Sequence, residues 1–266
     1  MFTQRRRIDQ RLRRAAQDGA PVAQIHQLLN DSADRTSRDE YECTALYYAI
    51  MFGHTHLLAV LSTADILNDV IYPHAGRFYQ HIAIEKDDAV ALRQLLQLGC
   101  DVNVREKGLT LLTYALSRQS YACALVILGD SRFDVNAQAH SAALEYVLFI
   151  TRNYTTAQEM SQRTEVLKRL LERGLQADCQ SGGWTPLNHC IRYGLNVWVK
   201  LLLDHNAADV NVKQQGGLYP VLTAAVFGNH KALALLIATN AADMCLTSDA
   251  VTSTRQYIYG MNHIFN

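Results

Sequence analysis

The residues of this chain whose types could do chemistry come in close pairs, and the spacing of each pair works against it. His54 and His56 are two apart at an expected helix start, so they point in different directions and cannot chelate one metal there. His189 and Cys190 are adjacent, and a base and nucleophile so placed need a third element to orient them. Asp87-Asp88 falls at a turn and is expected to be solvated, whereas Gly182-Gly183 and Gly216-Gly217 read as hairpin tips, not phosphate loops. Catalysis needs a concave, water-excluding site, and none of these pairs builds one. The remaining biased stretch is basic: Arg5, Arg6, Arg7, Arg11, Arg13 and Arg14. It reads as a polar cap, as a patch for phosphates or acidic partners, or as a transit peptide.

The elements that position these residues are clearest between Gly183 and Val212. Thr185 is placed to cap a helix, and Pro186 occupies the first helical position, where no N–H is needed. The helix stops at Gly194, and a second runs from Val197 to His205 with Trp198, Val199, Leu201, Leu202 and Leu203 as its apolar run. Ala208-Asp209-Val210-Asn211 then turns the chain outward. Neither helix is long enough to stand alone in water, so the pair must stack on copies of itself.

Those copies exist. The Thr185 position recurs as Gln10, Thr44, Phe78, Thr110, Ala142, Thr185 and Tyr219, at intervals of 34, 34, 32, 32, 43 and 34. Five residues after it stands a compact residue: Ala15, Ala49, Ala83, Ala115, Val147, Cys190 or Ala224. Nine after it comes a helix stop: Gly19, Gly53, Asp87, Gln119, Gly194 and Gly228. Apolar pairs follow at seventeen and eighteen, as in Leu95–Leu96, Ile127–Leu128, Leu202–Leu203 and Leu236–Ile237. The long interval belongs to the fifth repeat. Its first helix is expected from Ala142 and its second to end near Arg173, which puts the extra residues, about Thr151 to Arg163, between them as a solvent loop or helix extensions. An irregular loop is expected from Ala64 to Arg77.

With this period and these motifs the chain resembles an ankyrin-repeat protein over roughly residues 8 to 246. The copies are degenerate. The family's Thr-Pro-Leu-His stands as Thr44-Ala45-Leu46-Tyr47, Phe78-Tyr79-Gln80-His81 and Thr110-Leu111-Leu112-Thr113, and only the sixth repeat keeps Thr-Pro-Leu, followed by Asn188. The resemblance implies an all-α solenoid of about seven helix-turn-helix units with short β-hairpin fingers. It also implies structural hydrogen bonding for His81 and a structural place for His54, just after a helix stop.

Composition agrees with a non-enzymatic, intracellular reading. Twenty-five basic and twenty-five acidic residues balance, and the sequence pI is about 7.1. Bulk charge therefore argues for neither nucleic acid nor an anionic membrane. The six cysteines, at 43, 100, 123, 179, 190 and 245, contain no C-x-x-C and read as reduced core thiols of a cytoplasmic protein. No apolar run approaches a membrane span, and no apolar segment follows the first arginines to make a secretory signal. The whole chain, 1–266, is expected to form one repeat domain. Its parts are a basic N-terminal cap (about 1–30), the enlarged fifth repeat (about 142–179) and a C-terminal cap (about 248–266), where Tyr257, Tyr259 and Phe265 would cover the last core face.

The expected activity is recognition of a partner protein on the concave finger and inner-helix face, by a chain that is monomeric when free and needs no cofactor or metal. In the family, variable contact positions lie one before the marker and seven and eight after it. The first set carried over is Cys43, Arg77, Leu109, Ser141, Trp184 and Leu218. The second is Met51, Phe52, Glu85, Lys86, Ser117, Arg118, Phe149, Ile150, Arg192, Tyr193, Val226 and Phe227. Phe52, Phe149, Trp184, Tyr193 and Phe227 together are more aromatic surface than a monomer exposes without reason. Trp184, Arg192 and Tyr193 are expected at the energetic centre. Two alternatives stay open: an enzyme with a pocket near the fifth and sixth repeats around Cys179 and Cys190, and an adaptor that binds phosphates through Arg5 to Arg14. A bacterial accessory or secreted effector, delivered into a host cytosol, fits such diverged repeats by fold-level analogy only.

Overall fold

A computed structural model describes residues 2–69, 71, 77–135, 140–148, 156–175, 177, 183–213 and 218–239. The chain divides into two compact units, with the boundary between Asp134 and Val135.

In the N-terminal unit the helices come in pairs. They are α1 (Phe2–Gln17) with α2 (Val22–Asn30), and α3 (Ala45–Met51) with a 3-10 turn (Thr55–Leu57) and α4 (Leu58–Leu61). A short α5 (Ala64–Leu67) follows, then α6 (Tyr79–Glu85) with α7 (Ala89–Gln97), and α8 (Leu111–Ser117) with α9 (Tyr121–Gly129). The first helices stack in the order α1, α3, α6, α8, and the second helices in the order α2, α4, α7, α9. The C-terminal unit repeats the scheme. There α10 (His140–Leu148), α12 (Pro186–Arg192) and α14 (Pro220–Val226) form one layer, and α11 (Ala157–Glu172), α13 (Asn196–Asp204) and α15 (His230–Ala238) the other.

Local sequence sets each helix. The side chains of Thr44, Thr110 and Thr185 accept hydrogen bonds from the amides of Tyr47, Thr113 and Asn188, three residues on. Phe78 has no such oxygen. Instead His81 reaches back, and its Nδ1 accepts from the Phe78 amide at 3.1 Å. The helix-stop positions Gly19, Gly53, Asp87, Gln119, Gly194 and Gly228 all have positive φ, as a left-handed stop requires. Gly19 has a second reason: a Cβ there would sit 2.5 Å from the ring of His54. That ring lies on the Gly19 turn and bonds the Gln17 carbonyl at 3.0 Å, while His56 bonds the Ala20 carbonyl.

The compact column is the core. Ala15, Ala49, Ala83, Ala115, Val147, Cys190 and Ala224 are all buried, and Leu95, Leu96, Ile127, Leu128, Leu202 and Leu203 pack behind them. The pattern thins in the seventh repeat, where Leu236 is buried but Ile237 is 49% exposed. Polar ties cross between successive pairs. Tyr79 meets Thr44 through their hydroxyls at 2.8 Å, and Asn229 donates to the Ile191 carbonyl; within the third repeat, Gln80 donates to the Asp101 carbonyl. Among the described residues one finger is a β-ladder, β1 (Arg105–Glu106) with β2 (Leu109–Thr110), closed by Lys107 and Gly108 at positive φ.

Two local expectations need correction. The 64–77 stretch is not all irregular, because α5 buries Ile66 and Leu67. The fifth repeat's first helix begins at His140, two residues before Ala142. Of the two forms expected for its insertion, Ala157 to Arg163 take the helix extension: α11 is capped by Thr156 and runs for 16 residues. Arg163 is 0% exposed, donates to the Tyr146 carbonyl at 3.0 Å and lies over Trp198, whose Nε1–H donates to Thr164. Asp87 is exposed at its turn, as expected, and accepts from the Ser120 hydroxyl, while Asp88 is half-buried and caps α7 at the Ala91 amide. The expected C-terminal cap lies outside the described residues.

Leu202→Ala is expected to cost about 2–5 kcal/mol in a urea titration, because a fully buried layer residue leaves a cavity. Arg163→Ala should also destabilise clearly, by uncovering Trp198 and orphaning a carbonyl. Gln158→Ala, exposed in the first turn of the same helix, should stay within about 0.5 kcal/mol.

Candidate binding surface

The contact positions carried over from the repeat register divide by chemistry between the two units. In the N-terminal unit three of them, Arg77, Glu85 and Arg118, are charged and satisfied internally. Arg77 bonds Glu106 at 3.0 Å and Glu85 at 3.0 Å, and Arg118 reaches Glu85 at 3.4 Å. Tyr114 donates its hydroxyl to Glu85 at 2.8 Å, and the Arg118 guanidinium lies over the Tyr114 ring. Desolvation, then the Glu85 carboxylate, push the Tyr114 phenol up to about 12, so it stays a donor. Behind this network His81 and Glu106 are buried, with His81 Nε2 and Glu106 Oε2 3.9 Å apart and neither hydrogen-bonded. Tyr114 and Glu106 were not among the expected contact positions. Tyr114 sits four after the marker, one before the compact Ala115 and outside the contact set, and Glu106 is a finger residue with no sequence signal of its own.

Other positions in this unit are scattered. Phe52 is 50% exposed, Lys86 is exposed, and Met51, Leu109 and Ser117 are half-buried. Cys43 is buried, with its thiol against the Tyr41 carbonyl, and so belongs to the core and not to a contact surface. The arginines of α1 divide similarly. Leu12, Ala15 and Ala16 face inward and Asp9 accepts from the Asp34 amide, while Arg5, Arg6, Arg7 and Arg11 face solvent. Arg13 donates to Ser37 and Arg14 pairs with Asp18. These residues border an open polar groove of about 1010 Å³ that also takes in Asp39, Tyr41 and Tyr48.

In the C-terminal unit the expected residues converge. The Arg192 guanidinium carbon lies 4.6 Å from the centre of the Trp184 ring, 5.3 Å from Phe227 and 5.5 Å from Tyr193. Trp184 and Phe227 meet edge to face at 6.3 Å, and Tyr193 leans on His189 at 4.6 Å. Tyr193 remains 54% exposed, Arg192 is exposed, and Trp184, Val226 and Phe227 are half-buried. The α12 register places Arg192 and Tyr193 at the helix end, and Phe227 occupies the equivalent end of α14. Leu218 is 4% exposed, so it belongs to the core and not to a contact surface. Phe149 and Ile150 lie outside the described residues, as does the side chain of Ser141.

Little here resembles a catalytic constellation. Cys190 is fully buried in apolar surroundings, which push its thiol far up and leave it inert. Burial likewise raises Cys100 to about 12 and Cys123 to about 11. Cys179, its expected pocket partner, lies outside the described residues. Among the described residues no group of three His, Cys, Asp or Glu could hold a metal ion, and no helix is long and apolar enough to cross a membrane.

His189 carries a pH signature. Burial lowers its pKa from 6.5 to about 4, the Arg192 charge adds to that, and a hydrogen bond at Leu148 opposes it. The folded ring holds its proton less tightly than the unfolded ring. Stability is therefore complete above about pH 6.5 and is lost as pH falls toward about 4, by on the order of 3 kcal/mol. His81 is shifted in the same direction by burial, so wild-type acid sensitivity is composite. His189→Phe should flatten part of the slope of urea-unfolding stability between pH 7 and 4.5.

Comparison with known proteins bears on the fold. Residues 155–249 match the family model for ankyrin repeats, described as three copies. The crystal structure of the human ASB11 ankyrin repeat domain is similar at a TM-score of 0.53, with 19% identity over 86% of this chain and 96% of that one. No curated protein sequence matches the chain. The paired helical layers, the left-handed stops in register and the family match over residues 155–249 agree, and the chain has an all-α ankyrin-repeat fold.

Proposed function

We propose that the chain is a non-enzymatic protein-interaction module and that its principal contact surface is the Trp184, Arg192, Tyr193 and Phe227 patch. Ankyrin repeats in general mediate protein–protein interaction, and their fold is typically not that of an enzyme. The observation that carries the more specific reading is the Arg192 stack. Three aromatic rings from two successive repeats hold one arginine in place while Tyr193 stays largely exposed. Trp, Tyr and Arg dominate interface hot spots because each contributes large area with a polar handle, and here they are already ordered before binding. The patch belongs to the finger and inner-helix face, and the free chain is monomeric. Buried, protonated thiols fit a reducing cytoplasm.

The experiment is affinity capture from cytosolic extract, compared between wild type and the Trp184→Ala/Tyr193→Ala double variant. Specific partners should be lost while the melting temperature is retained. Undiminished capture with a lowered melting temperature would make these aromatics structural and move the site elsewhere. The basic helix α1 supplies the control. Replacing Arg5, Arg6 and Arg7 with Gln should leave capture unchanged, and no nucleic-acid affinity is expected at physiological salt. Tight, salt-sensitive DNA or RNA binding that disappears in this variant would favour the phosphate adaptor instead.

A further inference from the structure

The charges of the aromatic patch narrow the partner's chemistry. Arg192 is exposed, forms no ion pair and donates no hydrogen bond among the described residues, although a guanidinium carries five N–H donors in a planar fork. Its neighbours are rings. Cation–π contact with Trp184, Phe227 and Tyr193 orders the group and partly desolvates it, but a ring face cannot accept all those donors at their edges. The N-terminal unit shows the other way an arginine is treated in this chain. Arg118 also lies over a tyrosine ring, yet it reaches Glu85, and Arg77 is held by both Glu85 and Glu106. At the sixth repeat the corresponding carboxylate is missing from the described residues.

Taking the patch as the contact surface, we infer that the partner supplies that carboxylate: an aspartate or glutamate side chain beside an apolar or aromatic residue, the acid bidentate on Arg192 and its neighbour on Trp184 and Tyr193. A planar fork held by rings matches a carboxylate in two parallel N–H···O bonds. His189, the other ionisable group beneath the patch, is neutral at physiological pH, so the site offers a single positive charge. One guanidinium among apolar rings suits a monoanion. A phosphoryl dianion would call for further basic groups or amides that these residues do not bring. The rings also exclude water from the pair, which makes it selective against a partner with an amide or a lysine in that place.

The test uses the full chain and peptides selected from a random displayed library. Selected sequences should share an Asp or Glu next to an apolar or aromatic residue. Changing that acid to its amide, or Arg192→Gln in the protein, should each weaken binding about tenfold or more, and the two changes together should lose little beyond either alone. Arg192→Lys keeps the charge without the fork and should recover only part, and melting curves confirm that each variant is folded. A phosphoserine in place of the acid should bind no tighter; tighter binding would overturn the choice of carboxylate. Peptides that require Trp184 and Tyr193 but carry no acid and tolerate Arg192→Gln would overturn this inference and leave the contact surface standing. Selections that yield nothing sensitive to Trp184→Ala/Tyr193→Ala would overturn the surface itself.

Discussion

Everything in this molecule depends on the column of compact residues five places after each marker. A seven-residue helix such as α3 or α12 has no independent stability in water. It survives because Ala49, Ala83, Ala115 and Cys190 let neighbouring helices approach closely enough for the leucine and isoleucine layers behind them to close. The side chain at this position is therefore constrained in volume and has no freedom to be reactive. Cys190 is the clearest case: a thiol by chemistry, a spacer by location.

The same constraint explains the polar residues in the interior. Stacking brings backbone groups of successive repeats within reach of one another, and side chains bridge them. Arg132 and Asn229 each donate to a carbonyl of the preceding repeat, Gln80 donates to the Asp101 turn that closes its own, and His54 lies on the turn of the first. The fifth repeat departs from this economy. Its long second helix buries Arg163 completely, between the Tyr146 carbonyl and the face of Trp198.

The two surfaces formed by the contact positions differ in whether their charges are already matched. Around Glu85 the arginines have carboxylates and Tyr114 is bonded, so binding there would first have to break internal pairs. Around Arg192 aromatic rings supply the order and no counter-charge is present among the described residues. A preorganised but unmatched group gains more on association than a matched one, because less has to be undone.

The repeat register was legible in the sequence because it is a local property. Whether a position tolerates positive φ, caps a helix with a hydroxyl or fits a compact column is decided by residues within one turn of it. Gly194, Thr185 and Ala83 could therefore be read one at a time. The convergence of Trp184, Arg192 and Tyr193 was legible too, since all lie on one short helix and its approach. Their meeting with Phe227, thirty-five residues beyond Arg192, was not certain until the repeats were stacked. Tertiary structure alone decided which arginines have partners, and that Arg163 is interior. It also decided that Leu218 and Cys43 lie beneath the surface at positions where the register alone leaves contact open. Side-chain burial and ion pairing depend on what the neighbouring repeat places opposite, about thirty residues away in sequence, and no local pattern records that.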